Sequence, residues 1–272
     1  MDPLPFVKVE AGGNDFVVVD ARGAPLPAPA ADLARDLCRR RRSIGADGLV
    51  VLEAGPTLVH LEPDGARTFC LNAVRAVAAL VAAPALSTDA GRLEVRVAPD
   101  GPGVRATVAL PPPRRLEPRR ATPPGAPAFD GTFADVGNPQ FVVAVDAATL
   151  EHPDLMRWGR ALRWHDVVFP GGTNVCFAAR LADGRVALRT YERGVEDETL
   201  SCGTGAVATA CALAAPEEAE VRLLTRGGDE QRVTLAREGG RLTGVWAEGP
   251  ARVVARGLAP LTGLGAASVR AA

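Results

Sequence analysis

Two stretches decide the fold: Cys70–Val81, CLNAVRAVAALV, and Cys202–Leu213, CGTGAVATACAL, the second stopped by Pro216. Neither carries a charge beyond Arg75, so neither has the polar stripe of a surface helix. A helix apolar all round must be buried all round, and both are shorter than the ~20 apolar residues a bilayer span requires. Each is therefore expected to run through the centre of its own domain, wrapped by strands. The start of such a helix is chemically distinctive. Its first-turn N–H groups lack intrahelical partners, and the macrodipole adds about half a positive charge. Two such ends facing one cleft would form an anion site. The residue at each mouth is a cysteine, Cys70 or Cys202, and this placement is expected to lower a thiol pKa from about 8.5 toward neutrality.

Working outward, the two halves share a plan. Asn14–Asp20 (NDFVVVD) and Asn138–Asp146 (NPQFVVAVD) read as strands. Each is followed by a helix candidate, Asp32–Arg42 in one half and Pro153–Arg163 in the other. Short strands then follow, joined by Asp–Gly turns at Asp64–Gly65, Asp100–Gly101 and Asp183–Gly184. Between the halves Pro111–Pro127 (PPPRRLEPRRATPPGAP) is dense in proline and arginine. It reads as a linker that continues neither sheet nor helix. A weak duplication into two α/β (α+β) domains follows, one of residues 1–115 and one of residues 116–257.

Composition removes several function classes. The 272 residues carry a formal charge of −1 with 47% hydrophobic residues, which gives ample core and no basic surface for nucleic acid. The Arg39–Arg42 run reads as a solvated helix end. No signal peptide or membrane span is found, so a cytoplasmic protein is expected. The five cysteines include no CxxC, and the three histidines lie apart, so neither disulfides nor a metal centre are expected. Cys38, Cys176 and Cys211 read as small buried hydrophobes. Lys8 is the sole lysine and lies in a strand-like segment with no phosphate cradle, which argues against a Schiff-base cofactor.

The sequence resembles the diaminopimelate epimerase family over nearly its whole length. The matching stretches are Gly13–Phe16, Ile44–Leu49, Cys70 with Asn72 and Arg75, Gly137–Pro139, Phe169–Pro170 and Gly172–Val175. The strongest is Arg189–Gly194 continuing to Glu198–Gly205. The resemblance implies two pseudo-symmetric domains, each a sheet around a central apolar helix, with the site in the cleft between them. It implies that the tail, about 258–272, returns to the first domain, and it leaves a homodimer open. The implied activity is conversion of LL-diaminopimelate to meso-diaminopimelate, a step in making lysine and peptidoglycan precursors, with no cofactor and no metal. Cys70 and Cys202 would flank the α-carbon as base and acid. Donors near Leu71–Asn72 and Gly203–Thr204 would meet the α-carboxylate, and closure would exclude water. Asn14, Asn138, Asn174, Glu192 and Arg193, with Glu62 at the same end, would face the distal amino-acid group. The only partner implied is this small amino acid.

Four departures from the family pattern stand out. Gln140 replaces a histidine thought to support the cysteine matching Cys70, and Glu62 replaces an asparagine. Leu71 and Ala73 replace glycines, and one residue fewer separates Asp64 from Cys70. On this reading the changes gather around Cys70 or the distal pocket and leave the Cys202 side intact. Rival readings are a sister racemase for another amino acid, a non-catalytic amino-acid binder, and a thiol redox protein.

Overall fold

The computed structural model describes residues 2–261. Contacts divide them into residues 2–108 with 250–261, and Ala109–Gly249; the sequence reading sets its boundaries at 115/116 and 257/258. Of the tail expected at about 258–272, residues 262–272 lie outside the described residues.

The first unit opens with the hairpin β1 (Leu4–Ala11) and β2 (Asn14–Asp20). Gly12 and Gly13 turn it at φ 55° and 90°, a region that favours glycine. Alternation along β2 sends Val17 and Val19 against Leu33 and Leu37 of helix α1 (Ala30–Leu37). The helix then crosses over to β3 (Gly48–Glu53), parallel to β2, as a parallel pair requires. α1 ends at Leu37, short of the expected Arg42: Cys38 caps it and Arg41 adopts φ 67°. The arginine run is therefore a turn beyond the helix, and Arg40 is drawn out of it onto Asp15 and Asp47.

Next come β4 (Thr57–Leu61), antiparallel to β3, and helix α2 (Leu71–Ala78). β5 (Ala85–Thr88) is parallel to β4, and the antiparallel strands β6 (Gly91–Asp100) and β7 (Gly103–Leu110) follow it. α2 packs on β1, β2, β4 and β6. Every residue of the helix is buried, Arg75 at 0% exposure, as an all-apolar helix demands.

The second unit contradicts the linker reading. Arg115–Ala121 is strand β8, paired antiparallel with β9 (Phe129–Asp135). Pro118 fits there, opposite Thr132, because β8 ends the strand order, and an edge strand tolerates a missing N–H. β10 (Pro139–Ala144) pairs with β9. A short helix, α3 (Ala147–Leu150), is capped by Asp146, whose Oδ1 accepts the Thr149 N–H at 2.6 Å. Helix α4 (Leu155–Arg163) leads to β11 (Asn174–Arg180), parallel to β10. β12 (Val186–Glu192) and β13 (Asp197–Thr199) precede helix α5 (Gly203–Leu213). β14 (Glu220–Leu224) is parallel to β12, and β15 (Glu230–Glu238) pairs with the first part of β16 (Arg241–Ala259). Residues Ala251–Ala259 of β16 pair with β1 in the first unit's own sheet.

The duplication is thus real in topology. Each unit runs hairpin, helical crossover, parallel strand, antiparallel strand, buried helix, parallel strand and meander. In the second unit Phe141 and Val143 turn to α4 and pack with Leu155, Leu162 and Phe177. That parity turns Gln140 and Val142 to the opposite side, toward α5, which packs on β9, β10, β11 and β15.

Candidate active site

In the first unit Cys70 is the N-cap of α2, with extended backbone at φ −134° and ψ 117°, and its side chain makes no capping bond. One turn in, the Asn72 Nδ2 donates to Asn14 Oδ1 at 2.8 Å, and Asn14 Nδ2 donates to Asp47 Oδ2 at 3.3 Å. Arg75 Nη1 donates to Asn72 Oδ1 at 2.8 Å, so both faces of that amide are held. Gly12 lets the hairpin turn lie against it: a Cβ there would come 3.2 Å from Asn72 Oδ1. Leu71 is 1% exposed and acts as core.

Glu62 follows β4. Thr68 donates its hydroxyl to Glu62 Oε1 at 2.8 Å, and Thr68 Oγ1 lies 3.0 Å from His60 Nδ1. With the threonine proton spent on Glu62, His60 must donate from Nδ1. Burial pushes His60 down to about 4, so its ring is neutral near pH 7. Burial pushes Glu62 up, against the Thr68 hydrogen bond, and the charges of Asp64 and Asp47 add to the rise.

In the second unit Cys202 is the N-cap of α5, with backbone angles close to those of Cys70, φ −126° and ψ 109°. Its Sγ accepts the Gly205 N–H at 3.3 Å and lies 3.5 Å from Thr204 Oγ1. The expected fall in thiol pKa is not found. Burial pushes Cys202 well above its ordinary value, and the charge of Glu192 pushes the same way. The Thr204 and Gly205 hydrogen bonds pull down, but desolvation of the anion outweighs them.

Asn174 opens β11, and its Oδ1 accepts the Arg193 N–H at 2.6 Å. The Arg193 guanidinium donates to Gly171 O at 3.3 Å. It lines a cavity of about 370 Å³ with Arg115, Arg119, Phe133 and Phe169, a cationic setting suited to a carboxylate. Asn138 lies in the turn between β9 and β10. In the first unit Leu71 and Asn72 open the helix that Cys70 caps, Asn14 bonds Asn72, and Glu62 bonds Thr68, two residues before Cys70. In the second, Gly203 and Thr204 open the helix that Cys202 caps, the charge of Glu192 reaches Cys202, and Asn174 is tied to Arg193. Among the described residues no group of His, Cys, Asp or Glu is placed to hold a metal, and no helix is long and apolar enough to cross a membrane.

A family model described as diaminopimelate epimerase matches residues 132–254. The diaminopimelate epimerase of Gemmatimonas aurantiaca is 35% identical over 279 residues, covering 93% of this chain and 98% of that protein. The diaminopimelate epimerase of Hydrogenobaculum sp. (strain Y04AAS1) is 32% identical over 275 residues, covering 92% and 96%. This chain belongs to the diaminopimelate epimerase family. Its fold is also that of a hydroxyproline epimerase from Agrobacterium vitis, at a TM-score of 0.71 and 18% identity, covering 95% of this chain and 92% of that one.

One expectation drawn from the diaminopimelate epimerase pattern is corrected. Gln140, which stands where the family usually has histidine, belongs to the Cys202 side. Its Nε2 lies 3.0 Å from Thr204 Oγ1 and 3.9 Å from Cys202 Sγ. The physical reason is strand parity: with Phe141 committed to the α4 core, Gln140 must face α5. The Cys202 side is therefore not intact. Cys176, read from the sequence only as a small buried hydrophobe, donates to Gln140 Oε1 at 3.4 Å, and Thr190, which sequence reasoning passed over, lies 3.6 Å from the Cys176 sulfur. The alternation Val175–Cys176–Phe177, with both flanking residues in the α4 core, could have signalled it.

Proposed function

We propose that this chain epimerises LL-diaminopimelate to meso-diaminopimelate without pyridoxal or metal, with Cys70 and Cys202 as acid and base. The observation that carries the reading is the matched pair: in a chain 31–37% identical to diaminopimelate epimerases, a cysteine caps each of the two buried helices with the same backbone geometry. The thiolate of one cysteine takes the α-proton, and the electron pair left on carbon delocalises into the α-carboxylate. The other thiol then protonates the opposite face, so configuration inverts and each cysteine ends in the protonation state the other began with. Backbone N–H groups of the first turns of α2 and α5 are placed by type to meet the carboxylate charge as it builds. Asn14 and Asn72, locked by their mutual hydrogen bond, and Arg193 fix the substrate against rotation, which converts binding energy into alignment. The cytoplasm, where thiols stay reduced, suits five free cysteines.

A second reading rests on Glu62. A half-buried carboxylate that feels the charge of Asp47, in place of asparagine, favours a distal ammonium and disfavours a distal carboxylate, as in a sister racemase for another amino acid. Incubating the protein with a panel of L-amino acids in deuterated water separates the two. The account expects α-deuterium to enter diaminopimelate at least about a hundredfold faster than any other amino acid, a ratio of ~3 kcal/mol in barrier. Exchange into another amino acid with none into diaminopimelate selects the racemase.

A further inference from the structure

Gln140, Cys176 and Thr190 sit on one face of β10, β11 and β12: Val142, two residues after Gln140, pairs with Cys176, and Cys176 pairs with Thr190. The Gln140 amide bridges two thiols. Its Oε1 accepts the Cys176 S–H at 3.4 Å, and its Nε2 donates to Thr204 Oγ1 at 3.0 Å and points toward Cys202 Sγ at 3.9 Å. All of these side chains are buried; Gln140 and Cys176 are 0% exposed. Burial pushes Cys176 up to about 12, so it is a thiol, and therefore a donor, across the working pH range.

The direction of the amide has a consequence at the sulfur. Because Thr204 Oγ1 accepts the amide proton, the threonine's own proton is free to point at Cys202 Sγ, 3.5 Å away. The Gly205 N–H already points there at 3.3 Å. Three donors, from Gly205, Thr204 and Gln140, thus converge on one sulfur. Reversing the amide would aim a carbonyl lone pair at the same atom. Gly205 keeps the cluster tight, since a Cβ there would lie 2.9 Å from Cys176 Sγ and 3.2 Å from Cys202 Sγ. The charged and titratable groups facing Cys202 within this unit are Glu192 on β12 and Cys176 on β11.

We propose that Cys176 is a positioning residue: by donating its S–H to Gln140 Oε1 it fixes the amide with its N–H toward Thr204 and Cys202, and so surrounds the Cys202 sulfur with donors that favour its thiolate. In this chain a glutamine and a second cysteine together orient protons at Cys202, where a histidine could also have taken one. The inference rests on Cys202 being one of the two acid–base groups.

The test is the orientation of the amide, read by nuclear magnetic resonance on protein with nitrogen-15 in its glutamine side chains. The Gln140 resonance is assigned by its loss in Gln140→Leu. In the wild type the Gln140 amide protons show cross-relaxation to the Thr204 methyl. That contact persists in Cys176→Ser, whose hydroxyl still donates, and is lost in Cys176→Ala. In parallel, kcat for α-proton exchange falls about tenfold in Cys176→Ala with KM unchanged, as loss of a hydrogen bond to a charged atom implies. Serine restores it. An amide that faces Cys176 in the wild type, or that keeps its Thr204 contact in Cys176→Ala, overturns the inference. So does an alanine variant that loses the contact but keeps wild-type kcat. The amide readout needs no substrate and the serine variant retains the packing, so a failed turnover assay refutes the proposed function while leaving the orientation result to stand or fall alone.

Discussion

Cys202→Ser and Cys70→Ser each lower the turnover of LL-diaminopimelate by roughly a thousandfold or more, while the variants keep the wild-type fold. A serine hydroxyl is smaller than a thiol and several pKa units weaker as an acid, so it neither forms the anion that takes a proton nor gives one up readily. Positioned proton transfer contributes about 10²–10⁴-fold in rate, and both cysteines act in every turnover. Losing one therefore costs nearly as much as losing both, and the double variant is expected to be little slower than either single one. The packing penalty is small because serine differs from cysteine by one atom of similar reach, and each residue keeps its place as the cap of its helix on an extended backbone. Circular dichroism confirms the fold and a proton-exchange assay gives the rate. A single variant within about tenfold of wild type excludes that residue as acid or base.

The fold is expected to lose stability steeply above about pH 9. Burial pushes Cys38, Cys176 and Cys211 each up to about 12, whereas in the unfolded chain each ionises near 8.5. The folded pKa is above the unfolded one, so the contribution is fully present below pH 8.5. It drains away as the unfolded thiols ionise and the folded ones do not, until the pH reaches about 12. Each such thiol is worth about 1.4 kcal/mol per pH unit in that window, and the three together roughly 4 kcal/mol. Against a typical total of about 5–15 kcal/mol, that brings unfolding at room temperature between about pH 10 and 11. Cys202, pushed in the same direction, adds to the slope. Chemical denaturation at pH 8, 9 and 10 gives the slope for the wild type and for a variant with alanine at 38, 176 and 211. The triple variant should lose stability with a markedly shallower slope. Equal slopes would mean these thiols ionise as freely in the folded protein as in the unfolded one.

What could be read in the sequence was what burial on all sides leaves behind. α2 and α5 were legible because a helix with no polar stripe has one place to go, and their capping cysteines came with them. The matching strands were legible from their apolar runs: Asn14–Asp20 as expected, and Pro139–Ala144 within the expected Asn138–Asp146, whose last residue instead caps α3. β8 was not, because prolines and arginines that forbid a central strand are acceptable on an edge, and nothing local says which strand is the edge. Nor was β16, whose two parts pair with β15 and with β1, partners far apart in the chain. The end of α1 was misplaced because Arg40 is held by Asp15 across the sheet, a tertiary pull that the local pattern does not carry. For Cys202 the helix start was read correctly and its effect on the thiol was not: desolvation depends on what surrounds the sulfur, and that includes a buried glutamine, a second cysteine and Glu192.

Two separate acid–base groups leave a signature in solvent deuterium at the earliest stage of reaction. The protein is equilibrated in deuterated water and given unlabelled LL-diaminopimelate, and the reaction is quenched after a few per cent conversion. The two stereoisomers are then separated and weighed by mass spectrometry. The account predicts deuterium at the inverted carbon of the meso product and none in the remaining LL substrate, because one sulfur removes protium and the other delivers the solvent isotope. Label appearing equally in substrate and product would mean that a single group serves both faces, and would contradict the assignment of Cys70 and Cys202.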